Sequence, residues 1–129
     1  MRSRVPGRVF LGGQSYGGRQ ASILAAGESG LVAALVLLAY PLHPPRRRDQ
    51  LRTAHFSDLR TPTLFVSGSR DPFGSLEELE AARRLVPART ALLALDGAGH
   101  DLARTPRRSV DDVADEIARA FVEFASRAL

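Results

Sequence analysis

The chain has 129 residues, 44% of them hydrophobic and 25% charged, with a net charge of +4 and no cysteine. That is a one-domain length, here read as a single domain over residues 1–129, with the composition of a folded globular protein rather than a disordered one. The missing cysteines exclude disulfides, thiolate zinc sites and a cysteine nucleophile. All 18 basic residues are arginine, which removes Schiff-base and P-loop lysine chemistry.

The arginines are dispersed. Their one run, Arg46, Arg47 and Arg48, lacks the interleaved aromatic residues on which nucleic-acid bases stack, so no nucleic-acid partner is expected. The longest apolar stretch, residues 31–40, is too short to span a membrane and reads as buried strand. Residues 1–9 carry arginines without an apolar segment behind them, so no membrane partner and a cytoplasmic location are the expectations.

In chain order, strands are predicted at residues 8–12, 33–39, 63–68 and 90–95, each bounded by Gly, Pro or Asp. Their nearly continuous hydrophobicity fits parallel strands covered on both faces. Helices are predicted between and after them. The first covers residues 17–26 and a shorter one residues 48–56, with His55 at its surface or boundary. The third covers residues 75–86, opened by the capping pair Ser75 and Glu78. The last begins after Ser109 and keeps Val110, Val113, Ile117, Phe121 and Phe124 on one face. The alternation of strand and helix predicts an α/β fold, a parallel sheet flanked by helices.

Gly13-Gln14-Ser15-Tyr16-Gly17 matches G-x-S-x-G where the first strand should turn into the first helix. Such a turn holds a serine in strained geometry with its hydroxyl exposed, and the glycines on either side let strand and helix pass closely. Taken alone, the pattern also fits a simple small-residue turn. Two further strand ends add to it: Asp71 follows the third strand and His100 the fourth. All three then lie at the carboxyl edge of a parallel sheet, where active sites form, in the chain order Ser, Asp, His.

In this reading Ser15 attacks an acyl carbon, His100 is the base and Asp71 holds the imidazole, while the Tyr16 N–H is one oxyanion donor. Asp96 and Asp101 are the competing acids, but both stand too near His100 in sequence for the usual arrangement. Tyr40, His43 and Phe73 are expected to contact substrate, His43 from the rigid Pro-rich loop at residues 40–45. A nucleotide site is disfavoured, because Gln14 stands where G-x-G-x-x-G needs its second glycine. No cofactor and no metal are expected.

The segments Gly12-Gly13-Gln14-Ser15-Tyr16-Gly17-Gly18-Arg19, Tyr40-Pro41-Leu42-His43-Pro44-Pro45, Ser69-Arg70-Asp71-Pro72-Phe73-Gly74 and Gly97-Ala98-Gly99-His100 together resemble the α/β-hydrolases. Within them they are similar to the dienelactone-hydrolase-like branch that includes testis-expressed protein 30 and subunit 3 of the non-specific-lethal chromatin complex. The resemblance implies Ser15 as nucleophile, Asp71 as acid and His100 as base, acting on a small ester-like substrate. It also offers a second reading, since the chromatin-complex members are known for a non-catalytic role: an interaction module with an unused triad.

A complete hydrolase of this type has about eight strands with the elbow after the fifth. The four strands here would then be the last four, and the loop that supplies the second oxyanion donor would lie outside this chain. The strand at Val9, Phe10 and Leu11 would present an open edge for a partner strand or for the first half of the fold.

Overall fold

A computed structural model describes residues 9–28, 30–102 and 108–128. Four strands, β1 (Phe10–Gln14), β2 (Ala34–Leu38), β3 (Thr63–Gly68) and β4 (Thr90–Leu95), form one all-parallel sheet in the order β1-β2-β3-β4. Helix α1 (Tyr16–Gly27) follows β1, α2 (Leu76–Arg83) lies between β3 and β4, and α3 (Val110–Ala128) follows β4. The α/β architecture expected from the alternating pattern is therefore present.

Two apolar layers sandwich the sheet. On one face Leu35, Leu37, Tyr40 and Phe65 pack with Ala25 of α1, Leu79 and Ala82 of α2, and Phe56. On the other, Ala34, Leu64, Val66 and Leu95 pack with Val113 and Phe124 of α3. Every residue of β3 is buried, as a strand covered on both faces requires. The outer edge of β1 pairs with no strand among the described residues, and Phe10 there is 39% exposed with its ring edge-on to Phe121.

The third and fourth strands match their predicted bounds. The first lies later, at Phe10–Gln14, because its register against Ala34–Leu38 carries the pairing up to the elbow itself; Arg8, the predicted start, falls outside the described residues. Helix α2 opens with the full capping box, Glu78 N–H to Ser75 Oγ and Ser75 N–H to Glu78 Oε1. It ends at Arg83, three residues short of Val86.

The helix predicted at residues 48–56 is absent. In its place is an extended loop closing in a single 3₁₀ turn at Phe56–Asp58. Its backbone is committed at long range: Arg52 N–H reaches the Leu42 carbonyl at 2.8 Å, and the Arg52 carbonyl accepts the Tyr40 hydroxyl at 2.6 Å. Those groups are thereby taken from an i to i−4 ladder. On α3, Val113 and Phe124 are buried as expected, whereas Val110 is 47% exposed in the first turn.

A close approach at Gly68 locks the end of β3 to the turn after β4. A Cβ at Gly68 would collide with the Ala98 carbonyl, and Arg70 N–H donates to that carbonyl at 2.9 Å. Gly68→Ala should therefore cost about 1–3 kcal/mol, read as a lowered urea midpoint with an unchanged m-value.

Candidate active site

Ser15 stands between β1 and α1 with φ 53° and ψ −122°, a conformation that only a well-determined surrounding sustains in a non-glycine residue. Three contacts impose it. Ser15 N–H donates to the Leu38 carbonyl at 2.8 Å, Arg19 N–H donates back to the Ser15 carbonyl at 3.0 Å, and strand and helix touch through glycines. A Cβ on Gly13 would lie 2.6 Å from the Gly17 carbonyl, and one on Gly18 would lie 2.8 Å from the Gly13 oxygen.

The closing glycine of the motif, Gly17, has nothing within 4 Å of such a Cβ. The positions that must lack a side chain are therefore Gly13 and Gly18, while Gly17 offers only its backbone to the contact; the doubled Gly17-Gly18 in the sequence was the available signal. Although Ser15 occupies the N-cap position, its hydroxyl makes no capping bond to α1. It points instead to His100, with Oγ 2.7 Å from Nε2.

On its other side His100 Nδ1 lies 2.9 Å and 3.1 Å from the two carboxylate oxygens of Asp71. The carboxylate can only accept, so it places the imidazole proton on Nδ1 and leaves Nε2 to accept the Ser15 hydroxyl. The Asp71 side chain is 1% exposed and the His100 side chain 26%, so the acid is enclosed and the imidazole reachable. Asp71 Oδ1 also accepts the Phe73 N–H at 2.8 Å, and the Phe73 ring stacks on the imidazole at 4.2 Å.

The turns bearing Asp71 and His100 are stitched together. Ser69 Oγ accepts the Gly97 N–H at 2.7 Å while facing Asp96. Asp96 is thus held in a turn-to-turn link, and the imidazole is met by Asp71.

The Tyr16 N–H heads α1, where the first backbone donors of a helix have no intrahelical acceptor and carry its positive end. Its ring is 67% exposed beside Ser15.

The expected substrate contacts divide. Phe73 lies against His100, but Tyr40 and His43 are corrected to buried positions at 1% and 2% exposure, out of reach of a ligand at the sheet edge. The Tyr40 hydroxyl is consumed by the Arg52 carbonyl. Burial pushes its pKa up to about 12, against smaller opposing contributions from Ser22, Arg19 and Arg52. His43 donates from Nδ1 to the Pro44 carbonyl at 2.8 Å and faces Glu78 with Nε2 at 3.0 Å.

A second serine–histidine contact, Ser22 Oγ to His55 Nε2 at 2.7 Å, was not foreseen. Ser22 is fully buried and its hydroxyl donates to the Arg19 carbonyl at 2.8 Å, so the pair fastens the 3₁₀ turn to α1 rather than arming a nucleophile. Burial, reinforced by the Arg19 charge, holds His55 below its ordinary pKa. Among the described residues no cluster of three or more His, Asp or Glu could hold a metal, and no helix is long and apolar enough to cross a membrane.

A parallel sheet whose carboxyl edge brings together a serine on a strained strand-to-helix turn, a histidine and a buried aspartate defines an α/β-hydrolase-like protein. The family described as "Alpha/beta hydrolase domain" matches residues 2–127, and the chain belongs to it. Its fold is similar to a monoacylglycerol lipase from Paleococcus ferrophilus, with TM-score 0.71 and 14% identity over 93% of this chain and 68% of that one. It is also similar to Est1E from Butyrivibrio proteoclasticus, with TM-score 0.67 and 15% identity over 93% and 62%. A third likeness is to a dienelactone hydrolase from Anabaena variabilis, with TM-score 0.66 and 22% identity over 90% and 49%. The chain thus spans about half to two thirds of the length of these three proteins.

The glycine contacts rank two neighbouring substitutions in the opposite order to the motif, which requires Gly17 and not Gly18. Gly18→Ala should destabilise by about 1–3 kcal/mol, whereas Gly17→Ala should be neutral or stabilising by up to about 1 kcal/mol. Urea denaturation of the two variants measures both.

Proposed function

We propose that the protein is a serine hydrolase of esterase or dienelactone-hydrolase type, cleaving a small ester-like substrate through an acyl-enzyme. The observation that carries this reading is the continuous hydrogen-bonded run from Ser15 Oγ through His100 to Asp71.

As Ser15 Oγ bonds to the acyl carbon, its proton passes to His100 Nε2, and the imidazolium is stabilised by the enclosed Asp71 carboxylate. Negative charge on the former carbonyl oxygen meets the Tyr16 N–H and the positive end of α1. When the tetrahedral adduct collapses, His100 returns the proton to the departing alkoxide. Water then repeats the sequence on the acyl-serine, releasing the acid and restoring Ser15. Phe73, stacked on the imidazole, and the exposed Tyr16 ring would border the bound substrate. The motifs at residues 12–19, 40–45, 69–74 and 97–100 favour the dienelactone-hydrolase-like branch within the family.

Tyr16 supplies one oxyanion donor. The open edge of β1 would accept a further strand, from a partner or from a longer form of the protein. That open edge also favours the second reading, a hydrolase-like interaction module whose triad is idle.

A fluorophosphonate probe separates the two, because labelling needs an activated serine. We expect covalent labelling of the folded chain that is abolished by Ser15→Ala. Folded wild-type protein that takes up no probe would overturn the hydrolase reading and leave the interaction module.

A further inference from the structure

We propose that the ion pair of the buried His43 with the partly exposed Glu78 is a positioning latch that sets the orientation of the His100 ring through Phe73. The inference rests on the hydrolase reading for its catalytic meaning, but the mechanical coupling is a property of the fold.

The path is continuous. The Glu78 carboxylate at the start of α2 accepts from His43 Nε2 at 3.0 and 3.1 Å, from Ser75 N–H at 2.9 Å and from Arg48 Nε at 3.1 Å. It therefore joins the loop after β2 to the cap of α2. From that loop, the His43 backbone N–H donates to the Phe73 carbonyl at 3.0 Å, and Gly74 lies so close to Leu42 that an added Cβ would be 3.0 Å from the leucine Cβ. The gripped turn contains both groups that hold His100: Asp71, bonded to Nδ1, and Phe73, stacked on the ring at 4.2 Å with 30° between planes. His43 itself is buried and its ring is bonded to Pro44 and Glu78, away from Ser15, so its role is to position.

The two bonds of His43 require a proton on each ring nitrogen, since Nδ1 faces a carbonyl and Nε2 a carboxylate. A neutral ring would set a lone pair against one of those acceptors. Burial opposes the charge, but the hydrogen bonds to Glu78 and Pro44 and the charge of Glu78 outweigh it and raise the pKa of His43 despite Arg48. For Glu78, burial works against ionisation, while the bonds from His43, Ser75 and Arg48 bring its pKa down to about 2.

The signs follow. The stabilisation from His43 is complete below its ordinary value of 6.5 and is lost as pH rises through the raised value. That from Glu78 is complete above 4.5 and is lost as pH falls towards about 2. The charged groups facing His43 are Glu78 from α2 and Arg48 from its own loop.

The test is imidazole NMR across a pH titration of the 129-residue chain, whose three histidines give three resolvable signals, with His55→Asn to assign the third. Phe73 should displace the His100 carbon-bound proton signal upfield, and that displacement should change in step with the titration of His43 itself. In His43→Gln, at native circular dichroism, the displacement should shrink and lose that step. The fluorophosphonate rate at Ser15 should fall about 10- to 100-fold, as a small misplacement of a catalytic group does.

A His100 signal indifferent to the His43 titration, or unchanged in His43→Gln, would overturn the latch. Should His43→Gln not fold, the wild-type titration decides, because it needs no variant. Coupled signals in a protein that takes up no probe would retain the latch and reject the hydrolase reading.

Discussion

The strained backbone at Ser15 is the constraint on which the site depends. A residue at φ 53° and ψ −122° costs on the order of 1–3 kcal/mol, and the surroundings must overdetermine it. Here the sheet does so from one side, through the Leu38 carbonyl at the end of β2, and the helix from the other, through the contact of Gly13 with Gly18. The strain turns the serine side chain away from its usual capping bond and outward to His100. Had Ser15 relaxed into an ordinary N-cap, its hydroxyl would serve α1 and the run to Asp71 would be broken.

The second element of design is that the acid and the base sit on adjoining turns that are bonded to each other. Parallel β3 and β4 deliver Asp71 and His100 to the same edge, and the close approach of Gly68 to Ala98, the Arg70 bond and the Ser69 bridge keep the turns in register. Phe73 completes the enclosure from above the imidazole. The loop after β2, anchored by His43 to Glu78, closes round the back of this arrangement. Tyr40 and His43 thus belong to the support of the site, and the buried polar atoms of that support are met by partners within the chain.

Much of the architecture was legible in local pattern. The bounds of β3 and β4, the capping box of α2 and the serine elbow each depend on residues near in sequence, and each is found. The loop at residues 48–56 was not legible as a loop, since its helical composition was overruled by the distant partners Leu42 and Tyr40. For the same reason Gly18 could not be told from Gly17. Which glycine faces the strand depends on how α1 leaves the elbow, and that is settled by packing against β1 and Leu37.

By itself the sequence determined the parallel α/β class and the three residues that meet at the sheet edge, because strand periodicity, turn glycines and chain order are local or ordinal properties. Tertiary structure alone decided that Tyr40 and His43 face inward. It also decided that Glu78, readable only as a helix cap, is the node joining three segments. Those outcomes depend on distances between residues about 30 or more apart in the chain. Such distances are set by how helices pack on the sheet, which no local pattern encodes.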